Sequence, residues 1–338
     1  MKGRGTGGVC PPYLGRGFMT IPNTNETSAH RVNEVTIGAT RAEGGTRSHS
    51  VAVGGANALP FMRLDGHVGN RPLIAIDMLD RPPETWDPLL MEAYGDVVRD
   101  SGAWAQRAVE YGADLVCVAL EGIHPDKGNL DAAHAVGGVT KVKRAVGVPL
   151  IIWRSEDTAK DNEVLPKVSA ALKGERALFG AATQENYKRL TGVCLADGHN
   201  LITEAPLDIN MAKQLNILVT DMGFPANRLV MYQTTGALGY GIEYAYSIQE
   251  RQRIAALQGD RMLAMPVIAN AGLEAWNAKE AKTREADIPS WGEQLPRGVI
   301  WEALTAMALL HSGADIIRMV HPEAVKIVKE VINRLYPV

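Results

Sequence analysis

The stretch Thr234-Thr235-Gly236-Ala237-Leu238-Gly239-Tyr240-Gly241 is the part of this 338-residue chain best suited to holding a ligand. Its three glycines leave backbone N–H groups uncovered, so a ligand's oxygens can approach closely. The stretch follows an apolar run and precedes a helix-period segment, which is where such a loop works. A tight turn with no ligand would use the same glycines. The order G-x-x-G-x-G is not the dinucleotide fingerprint, whose first two glycines are one residue apart. Gln233, just ahead, and Asn270, at the end of the next apolar run, add amides that both donate and accept hydrogen bonds.

Glu204 and Asp208 form a second concentration of polar groups in Glu204-Ala205-Pro206-Leu207-Asp208-Ile209-Asn210. Asp208 is suited to act as a base or to orient a polar ligand group. Equally, it is suited to cap the helix that begins there. Asp77, Glu121 and Glu204 together suggest a carboxylate cluster. A metal of that kind usually needs a supporting histidine, and the candidates His124 and His321 both precede a proline, as residues at a helix start or rigid turn do. No metal is therefore expected. Cys117 and Cys194 fall within a strand and a helix and read as small buried hydrophobes, and no G-x-S-x-G elbow is present.

These residues must be positioned by a regular alternation that begins beyond Asn70. Eight short apolar runs occur at Leu73–Met78, Leu115–Leu120, Leu150–Trp153, Ala177–Phe179, Leu201–Thr203, Leu229–Met231, Pro266–Ala269 and Ile316–Met319. Each is followed by an amphipathic stretch of helical period. Strands without polar alternation are buried on both faces, as parallel strands are. Eight such units in series predict an α/β fold of the closed (β/α)8, or TIM-barrel, type. Gly112, Gly198 and Gly313 stand where three helices should end, just before a strand. In this architecture binding residues gather where strands end, so the residues to weigh are Asp77 and Asp80, Glu121 and His124, Arg154, Gln184 and Asn186, Glu204 and Asp208, Gln233 to Gly241, Asn270 and His321. The connection from Asn270 to Arg297 is long enough to be functional. The chain divides into an N-terminal extension, residues 1–57, and a barrel, residues 58–338.

Bulk properties exclude several partners. The formal charge is −3 with 22% charged residues, and no concentrated basic patch is present for nucleic acid or anionic membrane. No apolar run reaches the ~18 residues of a membrane span, and the N-terminus lacks the apolar core of a secretory signal. Three isolated cysteines, Cys10, Cys117 and Cys194, fit a reducing compartment, so a cytoplasmic protein is expected. They also fall short of the four thiolates that an iron–sulfur cluster normally takes.

Read together, Pro206 to Leu218, Thr234 to Tyr244, Gln249-Glu250-Arg251 and Ala255 to Asp260 resemble the small subunit of the corrinoid iron–sulfur protein, the delta subunit of the acetyl-CoA decarbonylase/synthase complex. Further matching pieces are Asn70-Arg71-Pro72, Glu185-Asn186-Tyr187, Trp276 to Ala281 and His321 to Ala324. The resemblance runs from about residue 50 to the end. Gln233 departs from it, since many members carry Asp-Pro just before the Thr234 loop.

The resemblance implies a barrel paired with a large subunit that carries the iron–sulfur cluster and anchors a corrinoid, a cobamide lying at the interface. It implies a methyl carrier of the reductive acetyl-CoA pathway, taking the group from methyltetrahydrofolate through a methyltransferase and delivering it to acetyl-CoA synthase. The barrel itself would be a non-catalytic cap using Thr234, Thr235, Gly236, Asn270, Gln233 and Asp208, with no cluster of its own. The alternatives are a pterin-binding methyltransferase barrel and a pure scaffold. The D-x-H-x-x-G string that places histidine under cobalt is absent: at Asp65-Gly66-His67 and at Asp197-Gly198-His199 the final glycine is missing.

Overall fold

A computed structural model describes residues 25–336. It contains a β-hairpin, β1 (Glu34–Ile37) and β2 (Val51–Gly54), followed by eight strands: β3 (Leu73–Leu79), β4 (Leu115–Ala119), β5 (Leu150–Trp153), β6 (Leu178–Ala182), β7 (Asn200–Glu204), β8 (Leu229–Tyr232), β9 (Ile268–Asn270) and β10 (Ile316–Met319). The eight pair in parallel in the order β8-β7-β6-β5-β4-β3-β10-β9. A parallel bridge between Met231 and Val267 joins the two end strands and closes the barrel. Each strand splits its side chains between two cores. Leu73, Leu115, Ile151, Ile202, Val230 and Ile316 face inward, while Ile74, Val116, Ile152, Leu201, Met231 and Ile317 meet the helices.

The helices are α1 (Pro88–Tyr94), α2 (Ser101–Glu110), α3 (Ala132–Ala145), α4 (Thr158–Ala171), α5 (Tyr187–Asp197), α6 (Ile209–Asp221), α7 (Ile242–Leu257), α8 (Gly272–Asn277), α9 (Lys279–Lys282), α10 (Gln294–Ser312) and α11 (Pro322–Leu335). Aspartates 87, 100, 131, 157 and 208 cap α1, α2, α3, α4 and α6, each accepting a hydrogen bond from a first-turn N–H. At the other ends Gly112, Gly198 and Gly313 take the left-handed backbone expected of them. The long connection after β9 holds α8 and α9, and α10 begins six residues earlier than Ile300, where the apolar period starts.

The segment expected as an N-terminal extension contributes to the barrel's own core. Val35, Ile37 and Val53 of the hairpin join the inward-facing cluster, and the hairpin bonds to loops at the strands' N-terminal ends. Asn200 Nδ2 donates to the Thr36 carbonyl at 2.8 Å. Buried Arg47 pairs with Glu175 at 2.8 Å and donates to the carbonyls of Val146 and Val148. The hairpin is thus a plug on the end of the barrel opposite the mouth. Residues 1–24, with Cys10, lie outside the described residues.

Candidate functional site at the barrel mouth

At the strands' C-terminal ends lies a cavity of about 400 Å³, lined among others by Trp153, Arg154, Glu204, Tyr232, Thr234, Asn270, Glu274 and Arg318. Its floor is built from inward-facing strand residues. Arg318 of β10 is buried and grips Asp77 of β3 through two hydrogen bonds of 2.8 Å. Its guanidinium lies 3.9 Å from the centre of the Trp153 ring, a cation–π contact strengthened by burial. Trp153 in turn meets Tyr232 edge to face at 5.0 Å. Burial alone would depress the pKa of Arg318, but the adjoining Asp77 carboxylate prevails and holds it above the ordinary value. Burial pushes the Tyr232 phenol up.

The carboxylates expected as a cluster are kept apart, each with its own cation. Asp77 holds Arg318, Glu204 holds Arg154 at 2.8 Å, and Glu121 holds Lys127 at 2.6 Å. Among the described residues no group of three or more His, Cys, Asp or Glu is arranged to hold a metal ion. His124 Nδ1 accepts from the Asp126 N–H, and His321 Nδ1 accepts from the Glu323 N–H at the start of α11. His199 is spent in the same structural way, accepting from Ala177 N–H and bonding the Ser169 carbonyl. Cys117 and Cys194 are buried in β4 and α5.

Of the six candidate binding residues, Thr234 and Asn270 line the cavity, and Gln233, Thr235, Gly236 and Asp208 do not. Thr234 has a φ of 56°, a left-handed backbone that a β-branched residue adopts only under strain. Its Oγ1 and the Asn270 Oδ1 are buried and have no hydrogen-bond partner. Gln233 is 1% exposed, and both its amide atoms are also unpartnered. Thr235 is used internally, its Oγ1 accepting from Asn270 N–H at 3.0 Å, which ties the loop to β9. Gly236 answers to the loop's own packing, since a Cβ there would stand 2.6 Å from the Tyr240 carbonyl oxygen. Asp208 caps α6 through the N–H groups of Asn210 and Met211.

Sequence reasoning passed over Trp153, Tyr232, Glu274 and Arg318 as site residues, and noticed Trp276 only as part of the long connection after Asn270. Arg318 did leave a signal: it is the charged residue inside an apolar run, as Asp77 is in another. Trp276 is built into place. Its Nε1 donates to fully buried Glu302 at 2.6 Å, its ring stacks on His321 at 5.5 Å, and Gly298 is needed because a Cβ there would stand 2.6 Å from the indole.

Comparison with known proteins places this geometry in context. The family model described as CO dehydrogenase/acetyl-CoA synthase delta subunit matches residues 34–331. The acetyl-CoA decarbonylase/synthase complex subunit delta of Archaeoglobus fulgidus is 38% identical over 312 residues, covering 90% of this chain and 68% of the relative. The Methanopyrus kandleri protein of the same name is 37% identical, covering 88% of this chain and 74% of the relative. Among solved structures, a dihydropteroate synthase from Xanthomonas albilineans in complex with 7,8-dihydropteroate superposes with a TM-score of 0.53 at 13% identity, covering 80% of this chain and 95% of its own. That likeness is one of fold alone. By family match and by identity along nine-tenths of its length, this chain belongs to the CO dehydrogenase/acetyl-CoA synthase delta subunits.

Proposed function

We propose that this chain is the non-catalytic barrel subunit of a corrinoid methyl carrier, working between a methyltransferase and acetyl-CoA synthase, and that its mouth covers a cobamide anchored in a larger iron–sulfur partner subunit. The observation that carries this reading is the pair of unpartnered, buried oxygens at the mouth, Thr234 Oγ1 and Asn270 Oδ1. A buried polar atom without a partner costs on the order of 1–3 kcal/mol. Two of them at one cavity wall, one on strained backbone, mark a surface completed by something else.

The residues present fit a cobamide. The corrin rim carries primary amides, and Thr234 and Asn270 offer a hydroxyl and an amide to meet them. When bound, the cobamide supplies a cobalt centre that accepts a methyl group and gives it up again. The protein's own part is orientation and exclusion of water. Thr234 and Asn270 would hold the rim, while Trp153 and Tyr232 give an aromatic floor, with Trp153 resting against the Arg318 of the Arg318–Asp77 pair. Among the described residues lining the cavity there is no His, Cys or Met, so no imidazole, thiolate or thioether there would be offered to the cobalt.

The test is reconstitution with the cofactor-bearing large subunit. Wild-type chain should form a stable pair that retains a corrin absorption spectrum through gel filtration, and Thr234→Val with Asn270→Ala should lower corrinoid retention about tenfold while the pair persists. If the isolated barrel binds methyltetrahydrofolate tightly without a partner, the pterin-binding methyltransferase reading replaces this one. If the double variant retains corrinoid fully, the barrel is a scaffold.

A further inference from the structure

Six charged side chains at the mouth come in pairs, Asp77 with Arg318, Glu204 with Arg154 and Glu121 with Lys127. Glu274, Glu156 and Lys282 stand outside these pairs, and of the three only Glu274 is half-buried rather than exposed. It lines the same cavity as Thr234, Asn270 and Arg318, is half-buried, and makes neither a hydrogen bond nor an ion pair among the described residues. Its position in the first turn of α8 does not explain it. That helix has six residues, and the Glu274 carboxylate accepts from none of its N–H groups. A half-buried carboxylate without a partner gives up hydration for no return, so such groups are ordinarily matched. Burial accordingly raises the Glu274 pKa; Arg318 opposes the rise and the Glu156 carboxylate adds to it.

The second observation is Asn270. It lies on β9, four residues before Glu274, is 8% exposed, and turns an unpartnered Oδ1 to the same cavity. One wall of the mouth therefore offers a carboxylate and an amide oxygen, both lacking donors. Glu156 also lines the cavity and forms no ion pair; its backbone is left-handed, with φ 78°. Lys282 is exposed at the rim and is bonded to neither glutamate.

We infer that Glu274 is a ligand-binding residue whose carboxylate, beside Asn270, accepts hydrogen bonds from a primary amide on the rim of the bound corrin. This rests on the reading that a cobamide meets the mouth. A primary amide presents two N–H donors and no charge, and a hydrogen bond to an ionised acceptor is the strong kind. With Glu156 on the same cavity, a corrin bearing a carboxylate in place of that amide would meet like charge. The mouth thereby selects the amidated cofactor over its hydrolysed forms.

The experiment uses the reconstituted pair of subunits, loaded either with cobalamin or with cobalamin derivatives in which one peripheral amide is hydrolysed to a carboxylate. Retention is read from the visible spectrum after dialysis, and thermal melts of each variant check folding. Wild type should retain cobalamin about tenfold better than at least one monocarboxylate, Glu274→Ala should lose that margin, and Glu274→Lys should reverse it. Equal retention of all corrins by wild type, or an unchanged preference in both variants, overturns the inference and leaves the cap reading standing. If folded wild-type pairs hold every corrin no better than the partner subunit does alone, both fall together.

Discussion

At the scale of single residues the mouth is organised around one ion pair. Arg318 and Asp77 are buried at 3% and 0% exposure, two strand residues that would each be ruinous alone. Paired, they set Trp153 beneath the cavity by a cation–π contact, and Trp153 sets Tyr232. Removing one partner leaves the other charge buried, which costs about 3–5 kcal/mol, whereas replacing both with apolar groups of similar volume is often neutral. Arg318→Met should therefore lower the unfolding free energy by that amount, and Asp77→Leu in the same chain should restore most of it. Denaturant unfolding of the two single variants and the double variant measures the coupling. Additive losses would mean that the pair does not act as a unit and that Trp153 is held by packing alone.

At the scale of elements, what was legible in the sequence depended on how each element buries itself. The eight barrel strands stand out because both faces are covered, one by the barrel interior and one by helices, so apolar residues run unbroken. The aspartate caps and helix-ending glycines are equally local signals, and they mark the loops correctly. Of the hairpin, Ser50-Val51-Ala52-Val53 reads as a short strand, but β1 left almost no trace, since only Val35 and Ile37 of it go inward and the remaining attachments are scattered polar ones such as Asn70 to Glu34, Arg47 to Glu175 and Arg176 to Glu43. The mouth of the barrel was legible in the sequence, but which residues line its cavity was legible only in part. Spacing pointed to the loops after β8 and β9, where Thr234 and Asn270 do line the cavity. It could not reveal that Thr235 and Gly236 serve the loop itself, or that Glu274 reaches the mouth from α8, because those depend on how separate loops meet. The plug reading is testable at its own scale. Arg47 is 3% exposed and bridges Glu175 to three carbonyls, that of Lys143 in the last turn of α3 and those of Val146 and Val148 in the α3–β5 connection. Arg47→Met strands the Glu175 carboxylate and should destabilise the chain by about 3 kcal/mol or more, with amide exchange of residues 34–54 rising first. If exchange there rises no more than in β4, the hairpin is not a separately anchored plug.

At the scale of the whole molecule, two adjacent buried groups give global stability an opposing pair of pH dependences. Glu302 on α10 accepts from the N–H groups of Val320 and His321 and from the Trp276 indole, so it joins α8, α10 and the turn into α11. Burial raises it to about 7 against those donors, with Asp77 adding to the rise, while burial lowers His321 to about 4 against the pull of Glu323. Tyr94 also faces this turn, its hydroxyl donating to the Val320 carbonyl. Glu302 binds its proton more tightly folded than unfolded, so its contribution is fully present below about pH 4.5 and is lost as pH rises through 7. His321 binds its proton less tightly when folded, so its contribution is lost as pH falls from 6.5 through 4. Each is worth on the order of 3 kcal/mol across its window, and over their common range they cancel. Glu302→Gln should uncover the histidine's slope, stability rising with pH relative to wild type. His321→Asn, which keeps an acceptor for the Glu323 N–H, should uncover the opposite slope. Guanidinium unfolding of all three chains at several pH values between 4.5 and 7.5 makes the comparison. Parallel curves would show that neither group titrates in the folded barrel, and Trp276 would then owe its place to Gly298 and ring stacking rather than to a charge beneath it.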